Sequence, residues 1–133
     1  DTMKKFISPL FAVAAIYDGL LGFVFLFGAD ALYRAANVTP PNHPGYVQFP
    51  AALLIIFALM FVAIARKPLE NRGLIVYGML LKAAYCGVVG YHWAAGDLPS
   101  IWKPFVVFDL LFFVLFFLAW VSLRRPGSSG RVA

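Results

Sequence analysis

Charge is scarce in this sequence. Only 13% of its 133 residues are Asp, Glu, Lys or Arg, against about a quarter in ordinary soluble domains, and 62% are hydrophobic. That balance excludes an ordinary water-soluble domain and places most of the chain in lipid. Cysteine is nearly absent as well. The one thiol, Cys86, lies inside an apolar segment, so there is no disulfide framework and no paired-cysteine metal or redox motif. A thiol packed among apolar groups is the plain reading. Also missing are a helical HExxH, a nucleophile elbow, a phosphate-binding glycine loop and a Cys/His ligand set, so no catalytic constellation emerges. The net charge of +5 would suit nucleic acid only if it formed a basic face. Here the basic residues sit at the ends of hydrophobic runs, and no nucleic-acid partner is expected.

What is present is four such runs, at about 6–28, 47–65, 74–93 and 102–123, each close to the roughly 20 residues that cross a bilayer. The expected fold is an all-α bundle of four transmembrane helices in one domain, 1–125, followed by a polar tail, 126–133. The first run has the outline of a signal peptide, but its apolar core is too long and contains Asp18. Between the first two runs, DALYRAANV reads as a short amphipathic helix at the membrane surface, with Leu32 and Tyr33 toward lipid and Arg34 toward water. Pro50 suits the first turn of the second span. The third span carries Gly73, Gly78, Gly87 and Gly90, and small residues let helices approach closely in lipid, so this helix is expected at the centre of the packing.

Lys and Arg give the orientation. Lys4, Lys5, Arg66, Lys67, Arg72, Arg124, Arg125 and Arg131 fall on one side of the four spans, and only Arg34 and Lys103 on the other. By the positive-inside rule both termini are cytoplasmic and the two proline-rich loops face outward.

One basic residue remains inside a span. Lys82 in the third run lies at a depth similar to Asp18 in the first and Asp109 in the fourth, about 17, 15 and 11 Å below the outer surface at 1.5 Å per residue. From Phe105 to Phe117 six of thirteen residues are Phe, so Asp109 is set among groups that cannot solvate it. A carboxylate there costs several kcal/mol unless a partner answers it. The expected partner is Lys82, shared with Asp18 in a buried ion cluster, with Tyr17, Tyr77 or Tyr85 donating hydrogen bonds. If all three ionise the cluster holds one excess negative charge, which a proton kept by one Asp would relieve. Gly78, Lys82, Tyr85, Val89 and His92 recur at helical spacing and make the polar face of the third span. Two readings stand side by side: a structural clamp that fixes helix register, and a proton or cation relay or polar-headgroup site.

His92, between Tyr91 and Trp93, reads as an interfacial hydrogen-bonding residue, with ligation of a haem or pigment as the sharper alternative. His43 in the first loop reads as solvent-facing, with the same alternative. No cofactor or metal is called for; a lipid, or a hydrophobic pigment or quinone, is the class that the Phe-rich fourth span would accept. Partners of the same kind are expected in the membrane: lipids, other transmembrane subunits or further copies of the chain.

The segments YDGLLGFVFLFGADAL (17–32) and HWAAGDLPSIWKPFVVFDLLFFVLFF (92–117), with the overall hydropathy, resemble the small bacterial four-span membrane proteins of the DoxX-like kind. The resemblance implies a four-helix bundle in a bacterial inner membrane and, in some members, association with quinone-linked oxidoreductases. It carries over no catalytic residue. The leading expectation is a non-enzymatic accessory or scaffold subunit of a larger membrane complex. The alternatives are a small homo-oligomeric transporter or proton-coupled carrier built on Asp18, Lys82 and Asp109, and a DoxX-like subunit of a quinone-linked oxidoreductase.

Overall fold

A computed structural model describes residues 3–123 of the chain. The basic residues Arg124, Arg125 and Arg131 and the tail 126–133 lie outside the described residues. Within them the protein is all helical: α1 (Ile7–Phe27), α2 (Ala29–Ala36), α3 (Gly45–Arg66), α4 (Arg72–Ala95) and α5 (Lys103–Ser122), with short 3-10 turns at Met3–Phe6 and Ser100–Trp102. The long helices α1, α3, α4 and α5 are each apolar and long enough to cross a membrane, α5 together with the turn that precedes it. Their lengths of 20 to 24 residues correspond to about 30–36 Å, the thickness of the hydrocarbon core.

Local chemistry sets the helix ends. Asn71 donates its side-chain amide to the carbonyl of Ala63 at 2.8 Å, which satisfies an acceptor in the last turn of α3 and tightens the link to α4. Gly96 ends α4 in the left-handed region at φ 87°, and its N–H closes onto the carbonyls of His92 and Trp93. Pro50 lies inside α3, just past the first turn from Gly45, because the helix starts earlier than the run at 47 suggested. The residues ahead of it, GYVQF, extend the helix backwards.

The four long helices pack chiefly as two pairs, α1 with α3 and α4 with α5. The first pair is very close. A Cβ on Gly22 would fall 2.7 Å from the carbonyl oxygen of Ala51, and one on Gly19 would touch the Cβ of Ala58 at 3.5 Å. The expectation that the glycines of the third span mark the centre of packing is therefore corrected. Among the described residues nothing lies within 4 Å of such a Cβ at Gly73, Gly87 or Gly90, whereas Gly78 is packed against the ring of Phe61. In lipid, close approach is set by where two small residues oppose each other, not by how many one helix holds.

The half of the bundle that holds the start of α1 and the end of α5 is solid. Phe11, Phe61 and Phe116 are fully buried there, with ring centroids 4.6 to 6.0 Å apart, and Ile7, Ile64, Ile75 and Ala119 close around them. Arg72 ties α4 to α5 at this end: its Nε donates to the carbonyl of Trp120 at 2.9 Å, and its guanidinium lies 4.2 Å from the indole centroid.

The other half is looser, and α2 folds across it. Tyr33 does not face lipid as expected; it is 6% exposed and packs on Phe25 and Trp102. The reason is local. The helix turns back at Gly28 toward the ends of α1 and α5, and the aromatic residues there form a better surface for a phenol ring than the headgroup region. Burial raises the Tyr33 pKa above its ordinary value.

Candidate functional site

Asp18 lies in the middle of α1, Lys82 in the middle of α4 and Asp109 in the second turn of α5, and the bundle brings all three to one layer. The Lys82 ammonium donates to Asp18 Oδ1 at 2.9 Å and Oδ2 at 3.1 Å, and to Asp109 Oδ1 at 3.1 Å. Its three N–H groups therefore have three carboxylate acceptors, the saturated arrangement that a buried ammonium needs. Lys82 and Asp18 are each 1% exposed and Asp109 is 7% exposed. The rings of Tyr17 and Phe112 stand 5.2 and 5.1 Å from Nζ and add their π faces to its surroundings. Asp18 belongs to the α1–α3 pair, Lys82 and Asp109 to the α4–α5 pair. The ion triad is thus a cross-link between the pairs.

The tyrosines take other places than those expected of them. Tyr85 donates its hydroxyl to the carbonyl of Trp102 at 3.2 Å, an acceptor in the turn that leads into α5. Tyr77 is on the outer face of α4, 59% exposed, because it lies five residues before Lys82 and so on a different side of the helix. Tyr17 is beside the triad, but its hydroxyl is buried with no hydrogen-bond partner among the described residues. Its ring is held by Phe105, Phe108 and Phe112 of α5. The face that runs Gly78, Lys82, Tyr85, Val89 and His92 is buried at its first two positions and exposed by His92. There Nδ1 of His92 lies 3.4 Å from the carboxylate of Asp97, with both side chains at least half exposed. His43 is exposed too, and its Nδ1 accepts the N–H of Gly45 at 2.9 Å. Cys86 donates to the carbonyl of Val106 at 3.5 Å, across the α4–α5 contact. Among the described residues no group of three His, Cys, Asp or Glu is placed to hold a metal ion.

Beside the triad the bundle holds a half-open cavity of about 520 Å³. Asp18, Asp109 and Tyr17 form its polar floor. Its walls are Leu21 and Phe25 of α1, Leu54 and Phe57 of α3, Leu81 and Tyr85 of α4 and Phe105 of α5, with Tyr33, Tyr46 and Trp102 toward the loop end. Where α3 and α4 meet only sparsely, exposed Leu53 and Ala84 make a wall open to the bundle surface. Sequence reasoning found the three charges and missed this space. The available signal was the clustering of aromatic residues at the same end of three spans, around Phe25, Tyr46 and Trp102.

Comparison with protein-family models, with curated proteins and with solved structures gives no match.

Proposed function

We propose that this chain is a non-enzymatic integral membrane protein that holds a small, largely apolar molecule inside its helix bundle, against the Asp18–Lys82–Asp109 triad. One observation carries the reading: the two carboxylates of the ion triad, Asp18 and Asp109, lie in the floor of a cavity lined by aromatic and aliphatic side chains. A volume of about 520 Å³ falls within the range of roughly 300–1,000 Å³ in which small molecules are bound, and few polar groups among many apolar ones is the usual composition of such sites. A register clamp alone accounts for the triad. It gives no reason for a space beside it.

The reading includes a location. The DoxX-like resemblance suggests a bacterial cytoplasmic membrane, and the distribution of Lys and Arg suggests both termini inside, so that the loop end of the cavity lies toward the outer surface. Native mass spectrometry of the protein purified in mild detergent tests the binding role. The expected result is one small molecule per chain that is lost in Leu54→Trp, a substitution that fills the cavity wall. A wild-type chain free of any bound molecule, under conditions that retain lipid on other membrane proteins, would count against it.

A role as an accessory subunit is the second reading. It is favoured by Gly87 and Gly90, which lie on the open side of α4 with clear space beyond them, a surface that admits the backbone of another helix at short distance. Other transmembrane chains recovered in constant proportion with this one would support it.

A further inference from the structure

We infer that the cavity is a site for an organic cation, a compact aromatic or branched apolar body bearing a protonated amine, seated with its amine against Asp109. The inference deepens the binding role proposed above and rests on it. Lys82 makes its three hydrogen bonds from behind the carboxylates and does not line the cavity, whereas Asp18 and Asp109 do. The floor therefore presents oxygen and hides nitrogen. Both oxygens of Asp18 are taken by Lys82. Asp109 gives only Oδ1 to it, and Oδ2 has no bonded partner among the described residues.

Charge leads the same way. Two carboxylates face one ammonium, and an uncompensated negative charge is costly in a segment that has only Phe, Leu and Val around it. An amine that enters the cavity cancels that charge and gives its N–H to Oδ2. The walls suit the same ligand, because Phe25, Trp102, Phe105 and Tyr17 line the cavity with aromatic rings that would pack on its apolar body. Among the described residues no Lys, Arg or His lines the cavity, so a carboxylate or phosphate head would meet like charge with nothing there to answer it. A neutral molecule would fill the walls and leave the charge of the floor as it was.

Three probes with one aromatic body separate these cases: naphthylmethylammonium, naphthylmethanol and naphthoate, measured by equilibrium dialysis against the protein in nanodiscs, with protein-free nanodiscs as the blank. The ammonium is expected to bind saturably, one per chain, and at least about tenfold more tightly than the alcohol, the worth of one hydrogen bond to a charged group. Naphthoate is expected to show no binding above the blank. Asp109→Asn leaves Asp18 and Lys82 as a balanced pair and should remove the preference for the ammonium over the alcohol. Leu54→Trp should abolish binding of both. If Asp109→Asn does not fold, the order of the three probes on the wild-type protein and their loss in Leu54→Trp decide the matter. Equal binding of ammonium and alcohol, both lost in Leu54→Trp, would overturn the cation assignment and keep the cavity as a site for neutral molecules. Tighter binding of naphthoate would overturn it as well, and saturable binding of none of the three would overturn it together with the binding role.

Discussion

Lys82 reaches both carboxylate oxygens of Asp18, at 2.9 and 3.1 Å, from a helix that is not the packing partner of the one carrying Asp18. The α1–α3 and α4–α5 pairs each have their own apolar seam. The ammonium is the polar link between them, beside the apolar one that Phe116 makes with Phe11 and Phe61, and its removal would leave two carboxylates facing each other.

Lys82→Met is therefore expected to lose about 3–5 kcal/mol of stability, the cost of stranding buried charge. The triple variant Asp18→Asn, Lys82→Met, Asp109→Asn should regain most of it, since no charge is then left without a partner. Thermal unfolding in detergent, followed by size-exclusion chromatography, reads both. A Lys82→Met protein that melts with the wild type would show that the triad is not what joins the pairs.

Two glycines should answer oppositely to the same change. Gly22→Ala places a methyl 2.7 Å from the Ala51 carbonyl oxygen, and the helices must part to admit it, at about 1–3 kcal/mol for an overpacked site. Gly87→Ala meets open space and should stabilise α4 by about 0.5–1 kcal/mol through helix propensity alone. The two melting midpoints, compared with the wild type, give the test. Equal shifts would remove the distinction.

Tyr33 gives the bundle a sensitivity to alkali. Burial raises its pKa above the ordinary 10.0, so the folded state holds the phenol proton after the unfolded chain has released it. The stabilisation is complete below pH 10.0 and is lost as the pH rises from there. Tyr33→Phe should remove that part of the alkaline decline in unfolding midpoint and leave the neutral-pH region flat. An unchanged alkaline slope would place the titration elsewhere.

The orientation is open to cysteine labelling in a Cys86→Ala background. Glu70→Cys, in the link between α3 and α4, should react with a membrane-impermeant maleimide only after the cells are opened. Asp97→Cys, in the link between α4 and the turn before α5, should react in intact cells. The reverse pattern would invert the topology and turn the loop end of the cavity toward the cytoplasm.

The spans were legible because each is a long apolar run closed by charge or proline: 6–28 in the sequence against Ile7–Phe27, and 102–123 against a turn and helix covering Ser100–Ser122. The three buried charges were legible for a related reason, that Asp18, Lys82 and Asp109 stand out against residues that cannot solvate them. Helix pairing was not. A helix that is apolar all round has no hydrophobic stripe to say which side goes inward, so the glycines of α4 drew the eye while Gly19 and Gly22 made the close contact. The hydroxyls of Tyr17, Tyr77 and Tyr85 were misplaced because spacing along a helix fixes a direction and not the partner met there. Tyr85 found a backbone carbonyl in a turn of a neighbouring segment.

The stack of Phe11, Phe61 and Phe116 makes this bundle a cup and not a tube. With these rings at centroid separations of 4.6 to 6.0 Å and fully buried, the described residues close the half of the protein below the triad. Whatever comes to the carboxylates arrives and departs on the far side of those rings, by the loop end or between α3 and α4, and a passage through the bundle would require the three rings to come apart.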